Sequence, residues 1–536
     1  MSSTPPPDNP LPVTPADDAG RYLALQARDA RFDGHFFTGV TSTGIYCRPV
    51  CKVRTPKAEN CRFFERAAQA EAAGFRPCLR CRPELAPAHN AALHWSTQDA
   101  SALLALQAAQ LMENAAPGSD NPGVAGIAAR LGISDRHLRR IFEAHWGVPP
   151  LRYLQTRRLL TAKQLLSDTR LPVADVAALS GFASVRRFNA AFVQHYRLQP
   201  TALRKSLHAR LDAALTKRGG NHSLPDAAAA ESDAFHFHAA YRPPFNIRHL
   251  LDFFANRAIA GVEWVDPEKY VIRRTIHLPY EKTTLRGWVE AQWVPDQHRV
   301  RLRVSASLAS ALPVVLTRVR GWLDLDADPA AMDLQLCPDF PGTEGMRVPG
   351  TLCGMELAVR AILGQQITVK AARTLTTRLV GHCGIPLLQA PEGLGRCFPD
   401  AATLAALSPH TLGELGIVKQ RQQAILSLAQ AVLSGTLQLQ PGGDVPATMA
   451  KLQSLPGVGA WTAHYIALRA LRWPDAFPSG DVALQSALGV RQVKNAAAAA
   501  ETLSQRWRPW RSYATVRAWQ KLSTTPEVAD NTLSKR

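Results

Sequence analysis

The stretch L-P-G-V-G-A-W-T-A-H-Y, Leu455 to Tyr465, sets the architecture of the rear part of this 536-residue chain. Pro456, Gly457 and Gly459 shape a tight hairpin whose bare backbone amides can approach a phosphate. Thr462 opens the next helix, whose N-terminus adds positive potential. Such a helix-hairpin-helix grips one DNA strand without reading its sequence. Many DNA-binding proteins use this motif without catalysing a reaction. On this motif alone, a protein that only binds DNA therefore remains an alternative.

A carboxylate follows the hairpin. The sequence Pro478-Ser479-Gly480-Asp481 begins the next predicted helix. Beside a flipped nucleotide, Asp481 can stabilise an oxocarbenium-like sugar and orient water as the base departs. The competing role for Asp481 is a helix N-cap. Next to the hairpin, we favour catalysis.

Four cysteines near the front of the chain have the spacing of a metal site. They form two close pairs, Cys47 with Cys51 and Cys78 with Cys81. Tetrahedral zinc is usually held by two such pairs across a longer loop. Three arginines flank them: Arg48, Arg80 and Arg82. Because cations beside a zinc-bound thiolate favour a nucleophilic sulfur, the pattern suggests a site that acts on an anionic partner. A purely structural zinc knuckle is the alternative.

A doubled helix-turn-helix pattern lies between residues 97 and 216. Its copies run from Val124 to Phe142 and from Val173 to Phe192. Each copy has a turn glycine followed by a serine that can cap the second helix; these are Gly132 with Ser134 and Gly181 with Ser184. The second helices carry arginines that can reach phosphates or guanine edges in a major groove: Arg136, Arg139, Arg140, Arg186 and Arg187. A helical bundle with solvated arginines is the alternative, which the duplication disfavours.

The composition indicates a nucleic-acid partner in a reducing compartment. Lys and Arg number 62 against 43 Asp and Glu, a net charge of +19, and such an excess favours polyanions. The first 18 residues lack a basic start and an apolar run, so they are not a secretory signal. No stretch reaches the roughly 18 apolar residues of a membrane span. We therefore expect a cytoplasmic, bacterial-type, nucleoid-associated protein with reduced cysteines and no membrane partner.

The front part resembles the N-terminal region of Ada-type adaptive-response regulators. The likeness rests on G-I-Y-C-R-P-V-C, on G-F-R-P-C-L-R-C and on the AraC-type segment W-G-V-P-P-L-R-Y-L-Q-T-R-R-L. It implies that Cys47, Cys51, Cys78 and Cys81 bind one zinc and that Cys47 removes a methyl group from a DNA phosphotriester. A zinc with four thiolates has a net charge of about −2, so methylating one should tighten binding to phosphates. The P-C-H-R motif of a second methyltransferase domain is absent, and repair of O6-methylguanine is not expected.

The rear part resembles 3-methyladenine DNA glycosylase II of the AlkA type. The likeness spans Y-R-P-P-F, A-I-L-G-Q-Q, L-G-I-V-K-Q-R, the hairpin, P-S-G-D and W-R-P-W-R-S-Y. It implies that Asp481 is catalytic and that four aromatic residues line the base pocket: Trp461, Tyr465, Trp519 and Phe253. Electron-rich rings suit a cationic base such as N3-methyladenine. Core packing is the alternative role for each ring.

The resemblance also distinguishes this chain from related enzymes that use a Schiff-base lysine or an iron–sulfur cluster. Gln366 takes the place of the side chain that fills the gap left by the flipped base, where some relatives have an apolar residue. Trp461 stands where bifunctional glycosylase/lyases carry their Schiff-base lysine. No cysteine follows Cys397, as an iron–sulfur cluster would need. We expect a monofunctional glycosylase; a transcription regulator that only binds damaged DNA, or a glycosylase for oxidised bases, remain alternatives.

The expected fold is multidomain and mainly α with α+β parts. The predicted order is a disordered tail (1–18), a zinc and methyl-acceptor domain (19–90), an AraC-type double helix-turn-helix domain (91–216), a linker (217–232), a small antiparallel β domain with helices (233–345) and a helix-hairpin-helix glycosylase domain (346–530). Double-stranded DNA and RNA polymerase are the expected partners of a monomer. The expected cofactors are one Zn²⁺ and a monovalent cation at the hairpin, without an organic cofactor.

Overall fold

The computed structural model describes residues 17–88, 100–114, 123–206, 234–280 and 283–523. The predicted linker 217–232 lies outside these ranges, and so does the predicted tail apart from its last two residues. Within them, no helix combines the length and the apolar character needed to cross a membrane.

The cysteine-bearing part is a small sheet flanked by two helices. Its elements are α1 (Asp18–Ala27), β1 (Phe37–Val40), β2 (Ile45–Cys47), β3 (Cys61–Phe64), α2 (Ala67–Ala72) and β4 (Arg76–Pro77). The strand order is β3-β1-β2-β4, and the last pair is parallel. The sequence between the cysteine pairs predicts a helix around Glu65–Ala73 that ends at Gly74. This helix is confirmed as α2, and Gly74 turns the chain out of it with φ of 88°. This sheet places Cys47 at the end of β2, beside β4 and the second cysteine pair.

The doubled motif forms two helix-turn-helix units joined by a long helix. The helices are α3 (Ala100–Asn114), α4 (Gly123–Arg130), α5 (Asp135–Trp146), α6 (Pro150–Asp168), α7 (Val173–Leu179) and α8 (Val185–Tyr196). Gly132 and Gly181 have φ of 69° and 79°, the left-handed turn conformation in which glycine has no steric cost. Ser134 and Ser184 accept hydrogen bonds from backbone N–H groups of α5 and α8. The predicted turns and caps are therefore confirmed.

An antiparallel sheet begins the rear part. Its elements are β5 (Ala234–Ala240), α9 (Ile247–Ala255), β6 (Glu263–Asp266), β7 (Val271–Tyr280), β8 (Thr283–Val294) and β9 (Arg299–Ser305). The strand order β5-β9-β8-β7-β6 leaves β5 at one edge. Alternating or β-branched residues over Tyr270–Ile276, Leu285–Ala291 and Val300–Ser305 predict three strands, which are confirmed as β7, β8 and β9.

The remaining chain is helical. It comprises α10 (Leu312–Trp322), α11 (Pro329–Leu336), α12 (Gly354–Leu363), α13 (Val369–Cys383), β10 (Ile385–Pro386), β11 (Arg396–Cys397), α14 (Ala401–Ala405), α15 (Pro409–Glu414), α16 (Lys419–Leu433), α17 (Val445–Gln453), α18 (Ala460–Arg469), α19 (Val482–Ala487), α20 (Ala496–Ser504) and α21 (Arg511–Ser523). Helix α18 contributes to two apolar cores: Ala463 and Ile466 pack into one, and Ala467 and Leu468 into the other. The hairpin before α18 therefore lies where the two helical cores meet.

Buried ion pairs join the sheet to the helices. Arg274 of β7 contacts Glu263 at 2.9 Å and also pairs with Glu356 of α12. Arg360, one turn along α12, reaches both carboxylates at 3.0 Å. All four side chains are largely buried, so the two positive and two negative charges compensate one another away from water. This network fixes α12 against β6 and β7.

Candidate active site and metal centre

Asp481 is both a helix cap and a neighbour of the hairpin aromatics. Its Oδ1 accepts a hydrogen bond from the backbone N–H of Leu484 at 2.7 Å, which makes it the N-cap of α19. Its Oδ2 accepts from Trp461 Nε1 at 2.7 Å, and Oδ1 also accepts from Trp519 Nε1 at 3.3 Å. The two roles weighed from the sequence are thus compatible, because one carboxylate satisfies the helix end and is held in place by two indoles.

The aromatic residues around Asp481 are packed against one another. Trp461 and Tyr465, one turn apart on α18, stack with centroids 5.4 Å apart and planes 17° apart. Tyr465 and Trp519 are 6.1 Å apart and tilted by 46°. A base sandwiched between two parallel rings needs ring planes about 7 Å apart, which is twice the van der Waals stacking distance. In this conformation a base can therefore stack on an outer ring face, but entry between Tyr465 and Trp519 requires a ring to move.

Two arginines connect Tyr465 to Phe253. Arg469 donates from Nη1 to the Tyr465 hydroxyl at 2.7 Å, and its guanidinium lies 4.9 Å from the Phe253 ring centroid. Arg257 lies 3.8 Å from that centroid on the same ring. Burial alone would raise the pKa of Tyr465, but the charges of Arg469 and Arg257 lower it below its ordinary value. Phe253 is buried and contacts the pocket through these arginines.

The loop after α12 reaches the hairpin through Gln365. Its Nε2 donates to the Gly457 carbonyl and to Thr462 Oγ1, both at 2.9 Å. The side chain of Thr462 is therefore buried and points into the protein, and only its backbone amide remains for DNA. Gln366, the next residue, is exposed and has φ of 55°, an uncommon conformation outside glycine. Gln366 therefore lies at the exposed end of the loop, the position that a side chain filling the gap left by a flipped base requires.

The hairpin glycines meet different constraints. Gly457 has φ of 75°, and a Cβ there would come within 3.2 Å of the backbone oxygen of Gln420. Gly459 is the N-cap of α18, is exposed and has open space around it. The chain at Gly459 and Ala460 is thus exposed at the N-terminus of α18, where a phosphate can approach.

The predicted groove-facing arginines lie on the exposed sides of α5 and α8. Arg136, Arg186 and Arg187 are exposed. Arg139 is exposed as well and pairs with Asp135 at 2.8 Å, while Arg140 contacts the ring of His137 at 3.2 Å. Both helices therefore present positive charge to the solvent.

The four cysteines converge on one point. The Sγ atoms of Cys47, Cys51, Cys78 and Cys81 all lie within 4.8 Å of one another, and a tetrahedral zinc with sulfur ligands needs separations of about 3.8 Å. Backbone N–H groups donate to two of them, from Arg48 to Cys81 and from Arg80 to Cys78, at 3.4 and 3.3 Å. The donor set therefore fits Zn²⁺, with neighbouring amides orienting the sulfurs.

The thiols also influence one another. Hydrogen bonding with Cys51 and Cys78 raises the pKa of Cys47, and hydrogen bonding with Cys47 and Cys51 lowers the pKa of Cys78. Four thiols this close share their protons unequally, and a divalent cation would favour the thiolate at each. Cys47 is 6% exposed, and Cys81 is the least buried of the four. Exposure alone therefore does not single out Cys47 as the methyl acceptor.

Two of the three arginines next to these cysteines are engaged elsewhere. Arg48 is buried and paired with Asp33, and Arg82 contacts Asp168 at 2.6 Å and Glu84 at 2.9 Å. Only Arg80 of this group is exposed. Buried carboxylates therefore already neutralise the charges of Arg48 and Arg82.

Sequence reasoning missed the arginines of the pocket and the role of Gln365. Arg257 and Arg469 each lie four residues after a pocket aromatic, Phe253 and Tyr465 respectively. On α18 that spacing puts Tyr465 and Arg469 on the same helical face, which is a usable signal, whereas Arg257 lies beyond the end of α9. The contact of Gln365 with the hairpin carries no comparable sequence pattern.

Four family models match the chain in succession. They are the metal binding domain of Ada over residues 20–84, a helix-turn-helix domain over residues 127–206, the AlkA N-terminal domain over residues 236–352 and the HhH-GPD superfamily of base excision DNA repair proteins over residues 359–512. Together they follow the order of the parts described above.

Curated relatives combine the same parts. A Mycobacterium tuberculosis protein named probable bifunctional transcriptional activator/DNA repair enzyme AlkA is 38% identical over 514 residues, covering 94% of this chain and 97% of that protein. DNA-3-methyladenine glycosylase 2 of Escherichia coli is 34% identical, over 54% of this chain and 98% of its own. The bifunctional transcriptional activator/DNA repair enzyme Ada of the same organism is 35% identical, over 28% of this chain and 39% of its own.

The charges beside Tyr465 give a spectroscopic prediction. Replacing Arg257 with Met removes one of the cations that lower the pKa of Tyr465. The phenolate transition of Tyr465, identified as the one lost in Tyr465→Phe, should move to higher pH. Ultraviolet difference titration measures it. Arg248→Met, at an exposed arginine of α9, is the control and should leave the transition in place; an unmoved transition in Arg257→Met would contradict the assignment.

Proposed function

The chain belongs to the family of the bifunctional transcriptional activator and DNA repair enzyme AlkA, and we propose how its residues divide that work. The protein is a DNA alkylation-damage response protein. It joins a DNA-3-methyladenine glycosylase, which hydrolyses the N-glycosidic bond of alkylated bases, to a transcription activator with an Ada-type methyl-acceptor zinc domain. The observation that carries the enzymatic assignment to residues is the carboxylate of Asp481, held by two indole N–H groups at the hairpin.

In the glycosylase, Asp481 acts on the sugar of an extruded nucleotide. As the bond between C1′ and the base nitrogen breaks, its electron pair leaves with the base and positive charge develops on the sugar. The carboxylate stabilises that charge and orients a water whose oxygen then bonds to C1′, while the water's proton passes to the carboxylate or to solvent. Trp461 and Trp519 support this role because they fix the carboxylate on the side that faces the aromatic residues.

The pocket favours bases that already carry positive charge. Trp461 and Trp519 offer electron-rich faces to such a base, and a cationic base is a good leaving group. Gln366 at the tip of its loop would fill the gap in the duplex, and the amides around Gly459 would hold the neighbouring phosphate. With Trp461 where lyases have lysine, the product is an intact strand with an abasic site.

In the front part, Cys47 accepts the methyl group. Its sulfur attacks the methyl carbon of a DNA methylphosphotriester; the carbon–oxygen bond breaks, and the electron pair stays on the phosphate oxygen to restore the diester anion. Cys47, Cys51, Cys78 and Cys81 would hold Zn²⁺, which would keep their sulfurs as nucleophilic thiolates. Methylation removes one negative charge from the cysteine cluster, which strengthens the attraction of the protein to DNA. The arginines of α5 and α8 contact the bases of that DNA.

We propose domain boundaries that follow the same division. We place the tail at 1–18, the zinc domain at 19–90, the helix-turn-helix domain at 91–216, the linker at 217–232, the β domain at 233–345 and the glycosylase domain at 346–530. The partner is double-stranded DNA, at alkylated and promoter sites, together with RNA polymerase. We place the protein in the cytoplasm, at the nucleoid, as a monomer. The monovalent cation at the hairpin stays a prediction.

Replacing Asp481 with Asn tests the enzymatic proposal. Asparagine keeps the N-cap but removes the charge, so release of 3-methyladenine from methylated duplex DNA should fall by about a thousandfold or more. The matched control is Asp444→Asn, because Asp444 is the exposed N-cap of α17 and accepts from Ala447 in the same way at 2.9 Å. That variant should retain full base release, measured by chromatography of the freed base.

Two results would contradict the assignment. Wild-type protein that binds methylated DNA but frees no base would leave only the binding function. A covalent adduct trapped with borohydride would indicate a lyase that forms a Schiff base. We expect no adduct, because Trp461 occupies the position where lyases carry their lysine.

The methyl-acceptor proposal predicts one zinc per chain and one methyl group on Cys47. After incubation with DNA carrying methylphosphotriesters, peptide mass spectrometry should locate the single added methyl there. Cys47→Ser should take up none, whereas Cys61→Ser, at a half-buried cysteine outside the cluster, should behave as wild type. Transfer to Cys81 in the wild-type protein would overturn the choice of acceptor.

A further inference from the structure

Arg242 is buried between the front and rear parts of the chain. It follows β5 and is 1% exposed. A guanidinium has five N–H donors, and here all five meet backbone carbonyls. Nε donates to Asp33 at 2.8 Å; Nη1 donates to Asp326 at 2.8 Å and Ala327 at 3.3 Å; Nη2 donates to Ala88 at 2.9 Å and Pro87 at 3.3 Å. Three of the acceptors belong to the cysteine-bearing part and two to the rear part.

Further polar contacts surround this arginine. The backbone N–H of Ala88 donates to Asp326 Oδ1 at 2.7 Å, and His35 Nε2 lies 3.2 Å from Asp328 Oδ2. Burial lowers the pKa of Arg242, while Asp328, Asp326 and Asp33 oppose that effect. The positive charge is therefore balanced by acidic residues from both sides of the contact.

An apolar contact extends the same interface. The edge strand β5 packs against α6, the helix that joins the two helix-turn-helix units. Leu159 and Leu166 of α6 and Phe192 of α8 lie in one continuous buried cluster with Phe237 and Ala239 of β5. A shared core of this kind is typical of parts that remain associated, whereas parts joined only by a tether keep separate cores.

We propose that the front part (residues 17–206) and the rear part (residues 234–523) dock through an interaction surface centred on Arg242, and that this docking holds without the segment that connects them in sequence. The methyl-acceptor domain, the helix-turn-helix units and the glycosylase cleft then move on DNA as one body. The partner of each surface is the other part of the same chain.

The geometry around Asp33 extends this surface to the metal centre. The carbonyl of Asp33 accepts from Arg242, and its carboxylate binds Arg48, the residue directly after Cys47. Arg48 also donates to the carbonyl of Cys81 at 3.0 Å. Arg242 is thus linked to the cysteine cluster through Asp33 and Arg48.

Cleavage of the full-length protein tests the docking. A protease site placed within residues 217–232 allows the purified, zinc-loaded chain to be cut after folding. The two fragments of the wild-type protein should co-elute in gel filtration at micromolar concentration. Arg242→Lys supplies only three donors for five carbonyls, so the fragments should dissociate with a dissociation constant raised about tenfold or more. Arg248→Lys, at an exposed arginine of α9, is the matched control and should leave co-elution intact.

A second variant guards against misfolding. Asp328→Asn removes the charge opposite His35 from the other side of the surface and should also weaken association, while zinc content and thermal unfolding of each uncut variant report on folding. Wild-type fragments that separate at micromolar concentration would overturn the docking. Co-elution of both Arg242→Lys and Asp328→Asn fragments with wild-type affinity would overturn the surface centred on Arg242.

Discussion

The carboxylate of Asp481 accepts hydrogen bonds from two indoles and one backbone N–H, and the glycosylase part is organised around that arrangement. Trp461 comes from the helix after the hairpin, Trp519 from the last described helix and the backbone donor from α19. Three elements far apart in sequence must therefore be in place before the carboxylate is oriented. Because α18 takes part in two apolar cores, the hairpin and the pocket are fixed by the same packing.

Buried charges hold the larger parts together. Arg274 and Arg360 join the sheet to the helices through Glu263 and Glu356, and Arg242 joins the front to the rear through backbone carbonyls. Arg274 and Arg360 are each paired with carboxylates, and Arg242 has an acceptor for every N–H donor; such compensation is the condition under which burying a charge is tolerated. In the front part, the same rule explains why Arg48 and Arg82 are paired with carboxylates and do not reach toward DNA.

The sequence predicted well what depends on local chemistry. The cysteine spacing, the turn glycines Gly132 and Gly181, the capping serines and the strands β7 to β9 follow from short patterns, and the structure confirms them. The family resemblance supplied the order of the parts, and family models and relatives match it. The sequence did not show that Thr462 turns inward to Gln365, or that the aromatic rings close on one another, because both depend on contacts between distant segments. The contact between Arg242 and Asp33 joins residues about two hundred positions apart, and no local pattern encodes it.

The most direct measurement is a crystal structure of the protein bound to duplex DNA that carries a cationic pyrrolidine in place of one nucleoside. The ring nitrogen of that sugar analogue imitates the charge that develops as the base departs. A carboxylate oxygen of Asp481 should lie about 2.6–3.2 Å from that nitrogen, with Gln366 in the gap of the duplex. A complex in which the analogue is extruded elsewhere, or in which Asp481 keeps only its tryptophan partners and stays out of reach of the nitrogen, would contradict the assignment of Asp481 as the catalytic group.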